Sequence, residues 1–332
     1  MSAAEIETVA ASFFPRGYRP IAVDTSKMTR DEWLAQRAKT IGASDISTVL
    51  NLNPYKSRMR LFLEMTGQIA PEPSNEAMEI GLAAEPLLST LYTLRTGRRL
   101  RQRKQMLYHP EHRFLHANLD REVIGEKRIV ELKMVGYWVA ADEFGAPGSD
   151  QVPMRQLVQV TQQEGIAGVP IGDIAVLKGG NDFDVYEIPF DRDIWDMIVD
   201  AGREFFDRVK RNAPPDPTSP EDVVLLHPRS IPKPIEATDA IALLADDYAD
   251  AKAEEKASKE RAEALKMQLG SFMGDHDTLT YLGTELLTFK SSKEPALFDG
   301  KRHNTEQPEC HAQYITAGKP KRSMLVKEAG SK

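Results

Sequence analysis

Four short strand-like segments follow one another almost without interruption at residues 105–108, 113–118, 121–124 and 128–135. Gly125, between the third and fourth, suits a hairpin turn. Helical patterns surround the block. Residues 30–50 read as helical at both ends and break at Ile41-Gly42-Ala43-Ser44-Asp45, where Ser44 or Asp45 can cap the second part. Residues 75–95 carry Ile80, Leu87, Leu88, Leu91 and Leu94 on or near one face. A helix is predicted over 152–165, an apolar strand over 171–178, an alternating partner strand over 184–190 and a helix over 191–212. The expected class is α/β, a central mixed β-sheet flanked by helices, with a helical C-terminal extension.

The extension follows Arg211-Asn-Ala-Pro214-Pro215-Asp-Pro217-Thr-Ser-Pro220, whose four prolines break regular structure and mark a boundary. The organisation expected is an N-terminal arm (1–29), the α/β domain (30–212), a Pro-rich linker (213–237), a long helix plus β-hairpin (238–293) and an irregular tail (294–332), basic near Lys319-Pro-Lys321-Arg322. The long helix, residues 238–272, lacks proline and is rich in Ala, Glu and Lys, with Thr238 as a candidate N-cap. Its apolar positions include Ile241, Leu244, Tyr248, Leu265, Leu269 and Met273. The pattern weakens over 253–262, so a coiled-coil adaptor stays open as a reading. A hairpin turning at Gly283 follows.

Composition removes several classes. The 332 residues are 41% hydrophobic and 28% charged, with a net charge of −7, as in ordinary globular chains. No run of about 18 apolar residues is present, so no transmembrane helix is expected. The first residues carry Glu5 and Glu7 and lack the basic start of a signal peptide, so a cytoplasmic location is expected. Cys310 is the one cysteine, which excludes an internal disulfide framework, a Cys-based zinc site and a protein-held iron–sulfur cluster. No phosphate-binding G-x-x-x-x-G-K-[ST] loop occurs, so no motor of that type is expected.

The acidic balance argues weakly against nucleic acid, but its distribution points the other way. Eleven Lys/Arg lie between Arg95 and Lys133 against five Asp/Glu, and Arg98, Arg99, Arg101, Arg103 and Lys104 are almost contiguous. Such a stretch can follow a phosphate backbone, or simply be a solvated face.

The sharpest chemical feature is Asp120 with Ile129-Val-Glu131-Leu-Lys133. On a strand Glu131 and Lys133 share a face and Leu132 points the other way. A hairpin at Gly125 brings Asp120 alongside Glu131. Two carboxylates so placed suit a hard divalent cation, and the adjacent lysine can position a water or stabilise a developing phosphorane. A salt-bridged strand face is the plain alternative. Glu85, in Gly81-Leu-Ala-Ala-Glu85-Pro86, can face the same site. On the 152–165 helix Gln156, Gln159 and Gln163 fall on one face, with Gln162 beside them. His109, His112 and His116 have spacing that invites a zinc reading, although Pro110 argues against one continuous helix. Trp33, Trp138 and Trp195 are candidates for base stacking or for packing.

The order Arg37-x-x-x-Ile41-Gly-Ala-Ser44-Asp45, Gly81-x-x-x-Glu85-Pro86, Asn118-x-Asp120, Glu131-x-Lys133 and the glutamine helix resembles the YqaJ-like viral recombinases, grouped with the lambda exonuclease family in the PD-(D/E)XK nuclease superfamily. Asn53-Pro54-Tyr55 and the strand ending at Gly179-Gly180 are similar too. The resemblance covers roughly residues 30–211 and makes 30–212 a PD-(D/E)XK exonuclease domain. It implies a Mg²⁺- or Mn²⁺-dependent exonuclease, one or two ions per site, degrading linear duplex DNA from 5′ ends to leave 3′ single strands for phage-type recombination. By that match Asp120, Glu131, the carbonyl of Leu132 and Glu85 form the metal site. Lys133 activates or orients the attacking water, and Gln159 is the active-site glutamine, with Gln156 and Gln162 as alternatives. Arg37 and Ser44 hold the 5′-phosphate with Asn118 in the pocket, and Arg98, Arg99 and Arg101 are DNA-binding candidates. The implied partners are duplex DNA ends, a single-strand annealing protein and further copies of the chain in a ring, a trimer favoured, with no membrane. The host cell's cytoplasm and a phage or prophage origin go with the resemblance. The chain departs from the pattern at Leu119, where the superfamily has proline, and at Asn118, where lambda-type enzymes have serine. A sequence- or structure-specific endonuclease, and a non-catalytic DNA-binding scaffold on the same fold, are the rival readings.

Overall fold

The computed structural model of the chain describes residues 13–15, 17–137, 143–291 and 299–315. Residues 1–12 of the arm, Trp138 and the basic stretch at Lys319 to Arg322 lie outside the described residues. Two compact units are present, Met1–His227 and Pro228–Lys332.

The first unit begins with β1 (Ile21–Asp24) and α1 (Arg30–Arg37). Thr29 starts α1 by a capping box: its hydroxyl accepts the Glu32 N–H while Glu32 accepts the Thr29 N–H. Then come β2 (Ile41–Gly42), α2 (Ile46–Val49), α3 (Arg58–Met65) and α4 (Glu76–Thr96). The strand block is β3 (Leu100–Arg101), β4 (Gln105–Tyr108), β5 (Leu115–Asn118), β6 (Arg121–Val123) and β7 (Arg128–Val135). It is followed by α5 (Met154–Ala167), β8 (Ile171–Lys178), β9 (Asp182–Pro189), α6 (Arg192–Arg211) and α7 (Pro220–Leu226).

The strands form two mixed sheets rather than the one central sheet expected. One has the order β1-β4-β5-β2 and the other β3-β6-β7-β8-β9. In the first, β2 runs parallel to β5; in the second, β7 runs parallel to β8; the other pairs are antiparallel. The division falls between β5 and β6, where Leu119 turns into the core and Asp120 leaves the ladder. The Asp120 carboxylate accepts the Leu132 N–H at 2.9 Å, so a side chain takes the donor that a continuing strand would have paired.

Alternation along β7 and β8 builds two cores. Ile129, Ile174 and Val176 pack with Val158, Val160 and Ile166 of α5. Val130, Leu132, Ala175 and Leu177 pack with Leu88 and Tyr92 of α4. Helices therefore cover both faces of the five-stranded sheet, and β7 and β8 are buried over most of their length, as parallel strands covered on both sides are. The approach of α5 to α6 depends on Gly165, where a Cβ would lie 2.3 Å from the Trp195 ring. Gly125 turns the β6–β7 hairpin at φ +90°, a conformation side chains disfavour.

The stretch expected as a linker, 213–237, contains α7, packed in the first unit. Ser219 accepts the Asp222 N–H, and Pro220 occupies the first turn, where its missing N–H costs nothing. Asp222 is buried and accepts the Ser57 hydroxyl at 2.5 Å and the Thr218 N–H at 3.0 Å.

The second unit holds α8 (Asp239–Met273), the hairpin β10 (Thr278–Tyr281) and β11 (Thr284–Thr288), α9 (Gly300–Glu306) and α10 (Pro308–Gln313). Within the tail expected to be irregular from residue 294, the described residues 299–315 hold the last two helices. Asp299 caps α9 by accepting the Arg302 N–H, and Arg302 pairs with Glu306 one turn on, local devices that nucleate short helices. Among the described residues no helix is long and apolar enough to cross a membrane.

Candidate active site

The β6–β7 register, Arg121 opposite Val130 and Glu122 opposite Ile129, carries Asp120 to the level of Glu131. Parity then aims Glu131 and Lys133 at α5, the helix covering the Ile129 face. Glu131 is buried and fully engaged there. Its Oε1 accepts from Lys133 Nζ at 2.6 Å and from Gln159 Nε2 at 2.5 Å, and its Oε2 accepts from Gln163 Nε2 at 2.6 Å. Lys133 Nζ also donates to Gln159 Oε1 at 3.3 Å. Gln163 reaches the Asn118 carbonyl at 3.3 Å and so ties β5 to the cluster.

These residues form one side of a cavity of about 410 Å³. Glu85 and Leu82 of α4 also line it, as do Asn118, His116 and Gly42. Arg37, Ser44, Trp33 and Arg30 complete the lining with Arg103 and Lys104. Arg37 Nη2 donates to Ser44 Oγ at 2.5 Å and to Asp45 Oδ2 at 3.0 Å, so the guanidinium and the hydroxyl act from one fixed place. The Asp45 side chain serves Arg37 and makes no cap bond to α2. Arg30 and Arg37 both lie against the Trp33 ring, 4.7 and 5.5 Å from its centre. Glu85 pairs with Arg121 at 3.0 Å.

The electrostatics are strained in one sense. Burial, then the neighbouring Glu131 charge, push the Asp120 carboxyl up to about 8, against the pull of Lys133 and the Leu132 N–H. Lys133 is held above the ordinary lysine value: burial opposes its charge, and the Glu131 and Asp120 carboxylates outweigh it. Among the described residues no three His, Cys, Asp or Glu side chains already converge as a metal cage. The donors nevertheless suit a hard divalent cation. Asp120 and Glu131 are oxygen donors whose mutual repulsion such a charge would relieve, and Glu85 lines the same cavity.

The other sequence candidates lie as follows. Gln162 is fully buried and donates to the carbonyls of Ile41 (3.1 Å) and His116 (3.0 Å), joining β2 to β5 away from Glu131. Gln156 is buried with no bond recorded to its Oε1. Arg98, Arg99 and Arg101 do not line the cavity. Arg98 faces Glu126 and Glu187 at 3.4 and 3.5 Å, and Arg101 bonds Glu122 at 2.9 Å. The part of that basic stretch which reaches the cavity is Arg103 and Lys104. His109 and His112 stack at 4.6 Å, and His109 Nδ1 accepts backbone N–H groups of Glu111 and His112. His116 Nδ1 bonds the Thr40 hydroxyl at 2.8 Å. Trp195 is a core residue. The sequence places Gln159 and Gln163 on one face, but Gln163 is not among the residues it assigns to the site, and the structure adds it through its bond to Glu131.

Residues 32–170 match the family model of the YqaJ-like viral recombinase domain. The uncharacterized protein YqaJ of Bacillus subtilis (strain 168) is 37% identical over 189 residues, 56% of this chain and 58% of the relative. The chain thus spans just over half the length of that curated relative. An alkaline exonuclease (LHK-Exo) from Laribacter hongkongensis superposes with a TM-score of 0.46 at 19% identity, over 55% of this chain and 94% of that one. A phage-related exonuclease from Haemophilus somnus 129PT gives 0.39 at 12% identity, over 52% and 96%.

Proposed function

We propose that this chain, whose residues 32–170 match the YqaJ-like viral recombinase domain, is a divalent-metal-dependent deoxyribonuclease that resects linear duplex DNA from 5′ ends. The observation that carries the reading is the cluster of Asp120, Glu131, Lys133, Gln159 and Gln163 facing the same cavity as Arg37 and Ser44.

In this reading Mg²⁺ or Mn²⁺ is held by Asp120, Glu131 and the Leu132 carbonyl, with Glu85 as a further acid. Bound there, such an ion would lower the pKa of a water and supply positive charge for the displacement. The protein's groups do the rest. Gln159 and Gln163 hold the Glu131 carboxylate by its two oxygens and fix its direction without adding charge. Lys133, tethered to Glu131 and Gln159, presents its ammonium where it can orient the attacking water and offset charge on the phosphorane. Arg37 with Ser44 and the Asn118 amide receives the terminal 5′-phosphate, a dianion that a guanidinium fork and a hydroxyl suit. Arg103 and Lys104 track the backbone leading in. Family likeness extends the reading to the 3′ strand being passed to a single-strand annealing protein, to a ring of copies, and to a phage-derived recombination role in a bacterial cytoplasm.

The test is digestion of linear duplex DNA in Mg²⁺, labelled at the 5′ or the 3′ terminus and bearing 5′-phosphate or 5′-hydroxyl, beside closed circular DNA. Early release of the 5′ label, a spared circle and faster action on the phosphorylated end are expected. Cutting of the circle replaces the reading with an endonuclease; binding without cleavage in Mg²⁺ or Mn²⁺ replaces it with a scaffold.

A further inference from the structure

We propose that α8 pairs antiparallel with the α8 of a second copy of this chain, about a centre between Lys256 and Ala257. This inference is independent of the nuclease reading.

The helix has 35 residues, about 50 Å of length, and of these only Met273 is buried. A helix so exposed gains little from tertiary packing, which ordinarily stabilises helices in proteins. It nevertheless carries a stripe at alternating steps of three and four residues, the spacing of a coiled-coil seam, apolar towards both ends and polar at the middle. The stripe opens with Ile241, Leu244 and Tyr248 and closes with Leu265, Leu269 and Phe272. Leu244 is 62% and Phe272 79% exposed. Inward of these come Ala251 and Ala262, and at the middle Glu255 and Ser258.

Residue size along the stripe reads the same in both directions: three large, one alanine, two polar, one alanine, three large. Antiparallel pairing about the stated centre therefore matches like with like. Ile241 meets Phe272 of the second copy, Leu244 meets Leu269, Tyr248 meets Leu265, Ala251 meets Ala262 and Glu255 meets Ser258. Parallel pairing would instead set Glu255 against Glu255 within the seam.

Charge selects the same direction. Residues 239–256 carry six acids and two lysines, whereas 257–273 carry three basic residues and two acids. Antiparallel pairing lays the acidic half on the basic half; parallel pairing lays acid on acid. Beside the seam Glu254 falls opposite Arg261 of the second copy, twice by symmetry. The like-charge approach, Lys252 against Lys259 of the second copy, is relieved because Lys252 is already paired with Glu255 of its own helix.

The test uses the full chain with Cys310→Ser, in two differently tagged forms carrying Ala251→Cys or Ala262→Cys, treated with a short thiol cross-linker. The mixture is expected to cross-link at least ten-fold more than either form alone. Leu244→Lys with Leu265→Lys, added to both forms, should reduce that yield at least ten-fold, with any loss of circular-dichroism helix signal no larger than one 35-residue helix accounts for. Glu254→Arg should lower the yield, and adding Arg261→Glu should restore it. Cross-linking within each form alone overturns the antiparallel arrangement. Absence of cross-links in every mixture overturns self-pairing, and leaves the face to a different partner.

Discussion

Replacing Asp120 with asparagine separates stability from function in a way the site geometry makes calculable. The Asp120 carboxyl ionises at about 8 in the fold, against an ordinary value of 3.8, because it is buried beside Glu131. Its folded-state pKa is raised, so the charged form is what folding disfavours. The penalty is absent below about pH 4, grows as pH rises and levels off above about 8. At about 1.4 kcal/mol per pH unit, keeping it protonated in the fold at pH 7 costs roughly 4 kcal/mol. Asparagine still buries a polar side chain, so about half, ~2 kcal/mol, is expected to be recovered. Asparagine keeps an oxygen for the Leu132 N–H and places an amide donor beside the carboxylates. Urea unfolding in EDTA should therefore find Asp120→Asn more stable than wild type by about 2 kcal/mol near neutrality and by less than about 1 kcal/mol at pH 5. The same variant should lose nuclease activity and any stabilisation by Mg²⁺. A destabilised variant, or a gain equal at both pH values, would refute the reasoning.

Three further outcomes follow from the same contacts. Gln162→Leu should cost about 2 kcal/mol of stability by orphaning two buried carbonyls, with activity per folded molecule retained; Gln159→Leu should do the reverse, and urea titration beside a turnover assay distinguishes them. In the Asp120→Asn chain, stability should fall as pH drops from about 6.5 toward 4, as followed by the urea midpoint. Burial, with His112 beside one and Arg37 beside the other, pushes His109 and His116 down to about 4, so the unfolded chain binds more protons across that window, worth up to about 3 kcal/mol each. Arg37→Ala should abolish any preference for a 5′-phosphorylated over a 5′-hydroxyl end, read from the ratio of the two digestion rates.

Much of the site was readable because strand parity and turn chemistry are local. Gly125 and the alternation of residues 128–135 are enough to place Asp120 level with Glu131 and to turn Lys133 the same way. The helix facing them was legible from its glutamines, but not which one counts. Gln159 and Gln162 differ only in which face α5 turns to the sheet, a fact of packing. The basic stretch shows the limit most plainly. Of the acids that engage Arg98 and Arg101, Glu122 and Glu126 lie within the counted stretch and Glu187 on β9; strand pairing decides which base each one meets, and a charge count does not show it. β2, two residues long, exists only by pairing with β5, and no local pattern announces it. The helix α7 was legible and overlooked: Ser219 and Pro220 are start signals, but three preceding prolines read more loudly as linker.

The most direct measurement is the single-turnover rate of 5′-end hydrolysis on linear duplex DNA in saturating Mg²⁺, for wild type and Lys133→Ala, each checked for an unchanged fold. The account predicts loss from the 5′ end in the wild type and a rate at least about 100-fold lower in the variant, the scale of removing a placed transition-state charge. Equal rates in both, or no hydrolysis by the wild type in either Mg²⁺ or Mn²⁺, would contradict it.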